Sequence, residues 1–263
     1  MGAPVADDRP FDPRAMMSSR GPTQSRRAAS QERRRRQILA ATRRMLAEDG
    51  LNGVNVRMLA RRSGVTPPTI YSLIGAREDV VLTAMQEAVQ AMRVLAERRA
   101  QARGANVIIV YCQTVMRSVE MDPDYYRQID SAATCIPGGG RLVVFFEELM
   151  RPMFWDWLNR MKARGDIRPI SLDLEVVTDI LVHQQISLGL EWARGSIDAS
   201  EYGRRLVAGA ALVLRGLVSS EQAAQIEPLL PRSAADHATP RRPWHACPPQ
   251  KEFALSGSSV RRR

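Results

Sequence analysis

Apolar positions recur at helical spacing through most of the chain. In residues 29–49, Ile38, Ala41 and Met45, with Leu39, Thr42 and Leu46, fall on one helical face, while Arg33 to Arg36, Arg43 and Arg44 load the start and the outer side. Gly50 ends this helix. Asn55 is a good N-cap for a short second helix in which Val56, Leu59 and Ala60 point inward, and Gly64 supplies its closing turn. The following stretch, VTPPTIYSL, predicts a third helix of about two turns, closed by Gly75. Proline is tolerated in a first helical turn, where the N–H groups lack partners anyway, and the residue before a proline avoids the helical region. Pro68 is therefore expected to be the first helical residue, with Thr66 and Pro67 leading into it. Ile70, Leu73 and Ile74 supply packing, and Tyr71 and Ser72 face outward.

Longer helices follow. Arg77 opens one that runs to about Arg103, with Glu78 and Asp79 favourably placed in its first turn. Others are predicted over 105–121, 123–135 (Asp122 as cap, Pro123 first), 140–164, 172–194 and 199–218, the last opened by a capping box of Asp198 and Glu201. No regular alternating runs occur. The pattern predicts an all-α chain of about nine helices, divided at residues 79 and 80 into an N-terminal and a larger C-terminal domain. Residues 1–28 read as a flexible basic arm and 221–263 as a disordered tail rich in Pro and Arg.

Charge sharpens this picture. The formal net charge is +10, unevenly placed: residues 1–79 carry 15 Arg against 8 acids, residues 80–227 carry 15 Arg and one Lys against 18 acids, and residues 228–263 carry 6 Arg and one Lys against 2 acids. A basic module beside a nearly neutral centre is the footprint of a polyanion partner. The apolar fraction of 44% suffices for a core. Cys112, Cys135 and Cys247 lie far apart without a Cys-x-x-Cys, which reads as reduced thiols. No apolar window of membrane-spanning length and no signal-peptide core are visible, so a cytoplasmic protein is expected.

Enzyme signatures are missing from the sequence. There is no His-Glu-x-x-His, no Gly-x-Ser-x-Gly and no paired metal-ligand spacing. The Gly-rich IPGGGRL, Ile136 to Leu142, lacks the Gly-Lys-Ser/Thr of a phosphate loop and reads as a helix connection. No catalytic residue, metal ligand or cofactor is assigned. A helical enzyme stays the weakest alternative.

Two short helices joined by a Gly-containing turn and resting on a longer one form a helix-turn-helix, whose second helix can enter the major groove. A helical hairpin that happens to be basic would share the pattern. The stretch RRRRQILAATRRMLAEDGLNGVNVRMLARRSGVTPPTIYSLIGAREDVV, however, resembles the N-terminal domain of TetR-family transcriptional regulators from about Arg33 to Val81. The likeness rests on the basic start, Glu48-Asp49-Gly50, Val56-x-x-Leu59-Ala60, Gly64-Val65-Thr66, Thr69-Ile70-Tyr71 and Arg77-Glu78 in fixed order. It implies a sequence-specific DNA-binding regulator of all-α fold: a homodimer, a repressor relieved by a small, largely apolar ligand. By the same resemblance Arg57 reaches phosphate or base, Thr66, Pro67 and Pro68 lie at the reading end of the third helix, Thr69 and Tyr71 match phosphate-contacting positions, and Arg77 matches a Lys that touches the DNA backbone. Ser72 is a further reading candidate. Leu73, where the family often has an aromatic or His donor, cannot donate, and Ala76 stands where Ser or Asn often caps the fourth helix.

In the neutral centre, FFEELMRPMFWDWLNRM concentrates aromatics and Met. Tyr111, Met116, Tyr126, Phe146, Met150, Phe154 and His183 are candidates for a pocket lining, although core packing explains most such stripes. Leu181, Leu188 and Trp192 on one helix, with Leu206, Ala210, Val213 and Leu217 on the next, are candidates for a dimer bundle, and intramolecular packing is the other reading. A ligand-independent architectural nucleic-acid binder, driven by the arms, is the second functional alternative.

Overall fold

The computed structural model describes residues 22–135, 140–169 and 172–230. Among them lie ten α-helices: α1 (Pro22–Gly53), α2 (Val56–Ser63), α3 (Pro67–Leu73), α4 (Arg77–Arg103), α5 (Val107–Met121), α6 (Pro123–Cys135), α7 (Gly140–Ala163), α8 (Leu174–Ala193), α9 (Ala199–Arg215) and α10 (Ser220–Ile226), then a 3-10 turn (Glu227–Leu229). The expected all-α architecture is observed, with one helix more than the pattern predicted. The connection expected at Ile136 to Leu142 falls mostly on residues 136–139, outside the described residues.

Two boundaries move. Helix α1 starts at Pro22, so residues 22–28, read as arm, are helical, with proline again in the tolerated first turn. Residues 221–230, read as tail, form α10 and the 3-10 turn, because Ala223 and Ile226, three apart, bury against the core while Leu229 and Leu230 cover it partly. The composition shift to Pro and Arg begins before the packing ends.

The helix ends follow their caps. Asn55 Oδ1 accepts from the Arg57 and Met58 N–H groups at 2.8 and 3.4 Å, and Asp198 Oδ1 accepts from Glu201 N–H at 2.8 Å. The Glu201 carboxylate does not turn back to complete the capping box. It is fully buried and pairs with Arg205 at 2.6 Å and with Arg204, tying the start of α9 to α8 through the Arg205–Glu191 pair at 3.3 Å. Ala76 offers no side-chain cap to α4, but the Asp79 carboxylate accepts from the Ala76 N–H at 2.8 Å and does that work.

Two hydrophobic cores result. The N-terminal one gathers Ile38, Leu39, Ala41, Met45 and Leu46 of α1, Leu59 and Ala60 of α2, Ile70 of α3, and Val80, Val81, Ala84 and Met85 of α4. The inward face expected for α1 is thus the observed one, buried Thr42 included, whose hydroxyl donates to the Ile38 carbonyl at 2.9 Å. The C-terminal core is built from α4, α5 and α7–α10 around Tyr111, Phe154, Trp157, Trp192 and Leu214. Helix α6 belongs to both: Tyr125 and Ile129 are buried in the N-terminal core, and Tyr126 packs against each.

The residues expected at a dimer bundle lie in this second core. Leu181, Leu188, Trp192, Leu206, Ala210 and Leu217 are buried inside one chain, and Val213 is half-buried against the same cluster. The apolar period of α8 and α9 marks a buried face without saying what buries it, and for these residues the intramolecular core does so.

Candidate functional site

The helix-turn-helix unit is α2, the turn at Gly64 and α3. Gly64 takes φ 67 and ψ 31, the left-handed conformation that glycine adopts without steric cost, and its N–H closes α2 on the Ala60 and Arg61 carbonyls. Thr66 is the N-cap of α3, so Pro67 and Pro68 occupy its first two positions. This corrects the expectation that Pro68 begins the helix: both prolines sit where their missing N–H has no helical acceptor. The Thr66 and Thr69 hydroxyls share a hydrogen bond of 2.9 Å in place of a backbone cap.

Successive residues of an α-helix turn by about 100°. Ile70 is fully buried, so the residues two before and two after it, Pro68 and Ser72, stand at the centre of the opposite face, and both are exposed. Tyr71, 56% exposed, and Thr69, half-buried, flank them. On α2, Leu59 and Ala60 point inward, and Arg57, Met58 and Arg61 are exposed. Met58 and Arg61 were not singled out in the sequence, although Arg61 lies four residues after Arg57 and so shares its face.

The arginines divide into two groups. Arg62 pairs with Glu48 and, at 3.6 Å, with Asp49, joining α2 to α1, and Arg43 and Arg35 pair with Glu87 on α4. Arg33, Arg34, Arg44, Arg57 and Arg61 are exposed and make no ion pair among the described residues. These hold the positive potential available to an external polyanion.

Arg77 is committed inside the fold. Its Nε donates to the Val54 carbonyl at 2.6 Å and its Nη2 to the Leu51 carbonyl, so the first residue of α4 grips the turn between α1 and α2. The phosphate contact implied for it would compete with these bonds.

Behind the recognition unit is a cavity of ≈ 80 Å³ between α4, α5, α6, α7, α8 and α9. Tyr111, Tyr126, Phe146 and Met150, expected at a pocket, line it. Met116, Phe154 and His183 do not. Met116 packs at Gly203, Phe154 sits edge-on to Tyr111 at 5.6 Å and holds that ring from behind, and His183 is exposed with Nε2 3.5 Å from Glu147 Oε1. Residues missed in the sequence complete the wall, notably Met85, Met92, Asp130 and Tyr202. Asp130 follows Tyr126 by four residues, so the helical period could have placed it there.

The cavity's titratable groups are perturbed by burial. Desolvation raises the Tyr111, Tyr126 and Tyr202 hydroxyls above the ordinary range and pushes the Asp130 carboxyl up to about 7. The Cys112 thiol, buried, is pushed up to about 12 and is a poor nucleophile. Among the described residues no cluster could hold a metal ion, and no helix is long and apolar enough to cross a membrane.

No curated protein matches the chain by sequence. Residues 38–82 match the family model described as bacterial regulatory proteins, tetR family. Among solved structures, the chain is similar to FadR of Thermus thermophilus, a TetR-family transcriptional repressor in complex with lauroyl-CoA, at 19% identity, with 70% of this chain and 95% of that one covered and a TM-score of 0.52. It is similar to the regulator FadR of Bacillus subtilis in complex with stearoyl-CoA at 15% identity, covering 68% and 97%, with a TM-score of 0.52. A TetR-family transcriptional regulator of Mesorhizobium loti matches at 15% identity, covering 72% and 98%, with a TM-score of 0.51. At these identities the structures speak for the fold, and the match over residues 38–82 speaks for the helix-turn-helix. Residues 38–82 thus match the DNA-binding module described for bacterial regulatory proteins of the tetR family, and the rest of the chain shares the fold of these structures.

Proposed function

We propose that the chain is a sequence-specific transcriptional repressor that binds DNA as a homodimer and is released by a small, largely apolar ligand. The observation that carries this reading is the outward face of α3, where Pro68 and Ser72 stand opposite buried Ile70, with Arg57 and Arg61 of the preceding α2 exposed and without an ion pair among the described residues. Pro68 and Ser72 meet base edges in the major groove, the proline ring as an apolar contact and the serine as a donor or acceptor. Tyr71 and Thr69 flank them toward the two phosphate walls, and the arginines displace counterions.

The dimer partner docks on the apolar positions that the chain itself leaves open, Val176 and Ile180 on α8 and Leu212 on α9, which are 51%, 47% and 56% exposed. Leu181, Leu188 and Trp192 of α8, Leu206 and Ala210 of α9, and Leu217 just after it are spent on the internal core.

Release follows from the cavity's size. Its ≈ 80 Å³ is far below the roughly 300–1,000 Å³ of typical ligand sites, so a ligand must push the walls apart. Met85, Met92 and Met150 are flexible enough to yield first. Further expansion moves α4 and α6. Met85 lines the cavity and also packs in the N-terminal core, and Ile129 does the same from α6. Through Arg77, displacement of α4 pulls on the α1–α2 turn and changes the spacing of the two recognition helices. The ligand disfavours DNA binding only as far as it prefers the expanded state.

Selection of duplexes from a random pool tests this. The expected product is a two-fold symmetric site with half-sites about 34–36 Å apart. A pool with no enrichment after repeated rounds would return the protein to the architectural, sequence-blind alternative.

A further inference from the structure

The cavity wall is apolar except for a few groups, and two acceptors among those have no partner among the described residues. The Asp130 carboxylate makes no hydrogen bond or ion pair among the described residues. It lies against α8 at Gly189, where a Cβ would meet Asp130 Oδ2 at 3.0 Å, so the glycine provides its space. Gln185 donates through Nε2 to the Tyr111 hydroxyl at 3.4 Å, while its Oε1 is buried without a partner. Buried polar atoms are nearly always satisfied, so the buried Gln185 Oε1, with the half-buried Asp130 carboxylate in the same cavity, marks where an absent molecule bonds. Both orphans are acceptors. No Lys or Arg stands among the described lining residues to neutralise the acid.

We infer that the ligand of this cavity is a protonated amine carried on an apolar body, with its N–H groups given to Asp130 and Gln185 Oε1. The inference rests on the proposed ligand-binding role of the cavity and names the ligand's chemical class. An ammonium supplies both a countercharge for the half-buried carboxylate and N–H donors for the two acceptors. Tyr111, Tyr126, Tyr202 and Phe146 line the same wall, and aromatic rings attract a cation. A ligand carrying a carboxylate or phosphate in this cavity would instead meet a like charge with no counterion.

The full chain is titrated calorimetrically with octylammonium, 1-octanol and octanoate, which share one tail. The pH is about 8, above the Asp130 carboxyl at about 7 and below the amine. Octylammonium should bind at least about tenfold more tightly than octanol, with octanoate weakest. In Asp130→Asn the ammonium should lose that advantage while octanol affinity holds, with a thermal melt confirming the fold. Gln185→Leu should weaken the ammonium selectively as well. Equal binding of the three, no binding by any, or an ammonium preference that survives Asp130→Asn overturns the inference. Operator affinity measured with and without each compound separates the two levels. Release by octanol or octanoate as strong as by octylammonium keeps the cavity as the effector site and removes the amine. Selective ammonium binding that leaves operator affinity unchanged keeps the amine and removes the release mechanism.

Discussion

Replacing Arg77 by Ala discriminates between two roles for one side chain. If Arg77 touched DNA phosphate, its loss would leave stability intact and lower the magnitude of the salt slope by about 1. The structure instead gives its guanidinium to the carbonyls of Val54 and Leu51. Hydrogen bonds from a charged donor are worth about 1.5–3 kcal/mol each when buried. The side chain is 35% exposed, so water replaces part of each bond, and about 1.5–3 kcal/mol for the pair is the reasonable figure. For a chain of this size 1 kcal/mol shifts Tm by about 2–4 °C, giving a fall of about 3–12 °C at fixed protein concentration. Arg77→Lys keeps the charge and one donor direction, and should recover less than half of the loss because it cannot reach both carbonyls as a fork. The assays are a thermal melt and fluorescence-anisotropy titrations of a non-specific duplex at several salt concentrations. An unchanged Tm together with a shallower salt slope for Arg77→Ala would refute the strut and restore the phosphate contact.

Other outcomes follow from the same geometry. Arg61→Ala, on the unpaired face of α2, should lower the magnitude of the salt slope by about 1 with no change in Tm, whereas a slope equal to that of the native protein would place Arg61 off the DNA. Leu212→Asp, on an exposed position of α9, should yield folded monomers in sedimentation velocity, and a variant that stays dimeric would place the interface elsewhere. Asp130 carries a folded-state carboxyl at about 7, above its unfolded value near 4, so between these values the folded chain holds a proton that the unfolded chain has lost. Stability should therefore fall as pH rises through that window, by up to about 1.4 kcal/mol per pH unit, with the cost complete above about 7. The Tyr111, Tyr126 and Tyr202 hydroxyls around it stay neutral throughout, and Asp130→Asn should flatten the decline, which identical pH profiles in denaturant melts would disprove.

The recognition unit was legible in the sequence because its signals are local. The Asn55 cap, the Gly64 turn and a buried Ile70 between outward neighbours each act within a few residues, so a one-dimensional pattern contains them. The bonds of Arg77 to the α1–α2 turn were not legible because its acceptors lie 23 and 26 residues back, and a backbone carbonyl leaves no mark in a sequence. The dimer candidates show a related ambiguity: Trp192 and Leu206 are apolar at helical spacing whether a second chain or Tyr202 and α5 covers them, and here Trp192 stacks on Tyr202 at 5.6 Å. Aromatic richness drew attention to Phe154, which braces the cavity wall, while Asp130, a single acid in an apolar period, defines the cavity's polarity. Gly50 shows the mixture. It was expected to end the first helix and instead kinks α1 within its range, and its φ of 68 and ψ of −174, next to Gln128 of α6, belong to tertiary structure.

The central claim is that the outward face of α3 reads DNA sequence, and a base-by-base binding profile tests it most directly. The selected duplex is prepared with each base at every position and titrated against the native protein, Pro68→Ala and Ser72→Ala at physiological salt. The native protein should prefer the selected duplex over a scrambled one by about 10³-fold or more. Each variant should keep its non-specific affinity, having lost no charge, and should relax preference at one position per half-site by about 1–3 kcal/mol. A native protein that binds every duplex equally, or variants whose base profiles match the native one, would contradict the account.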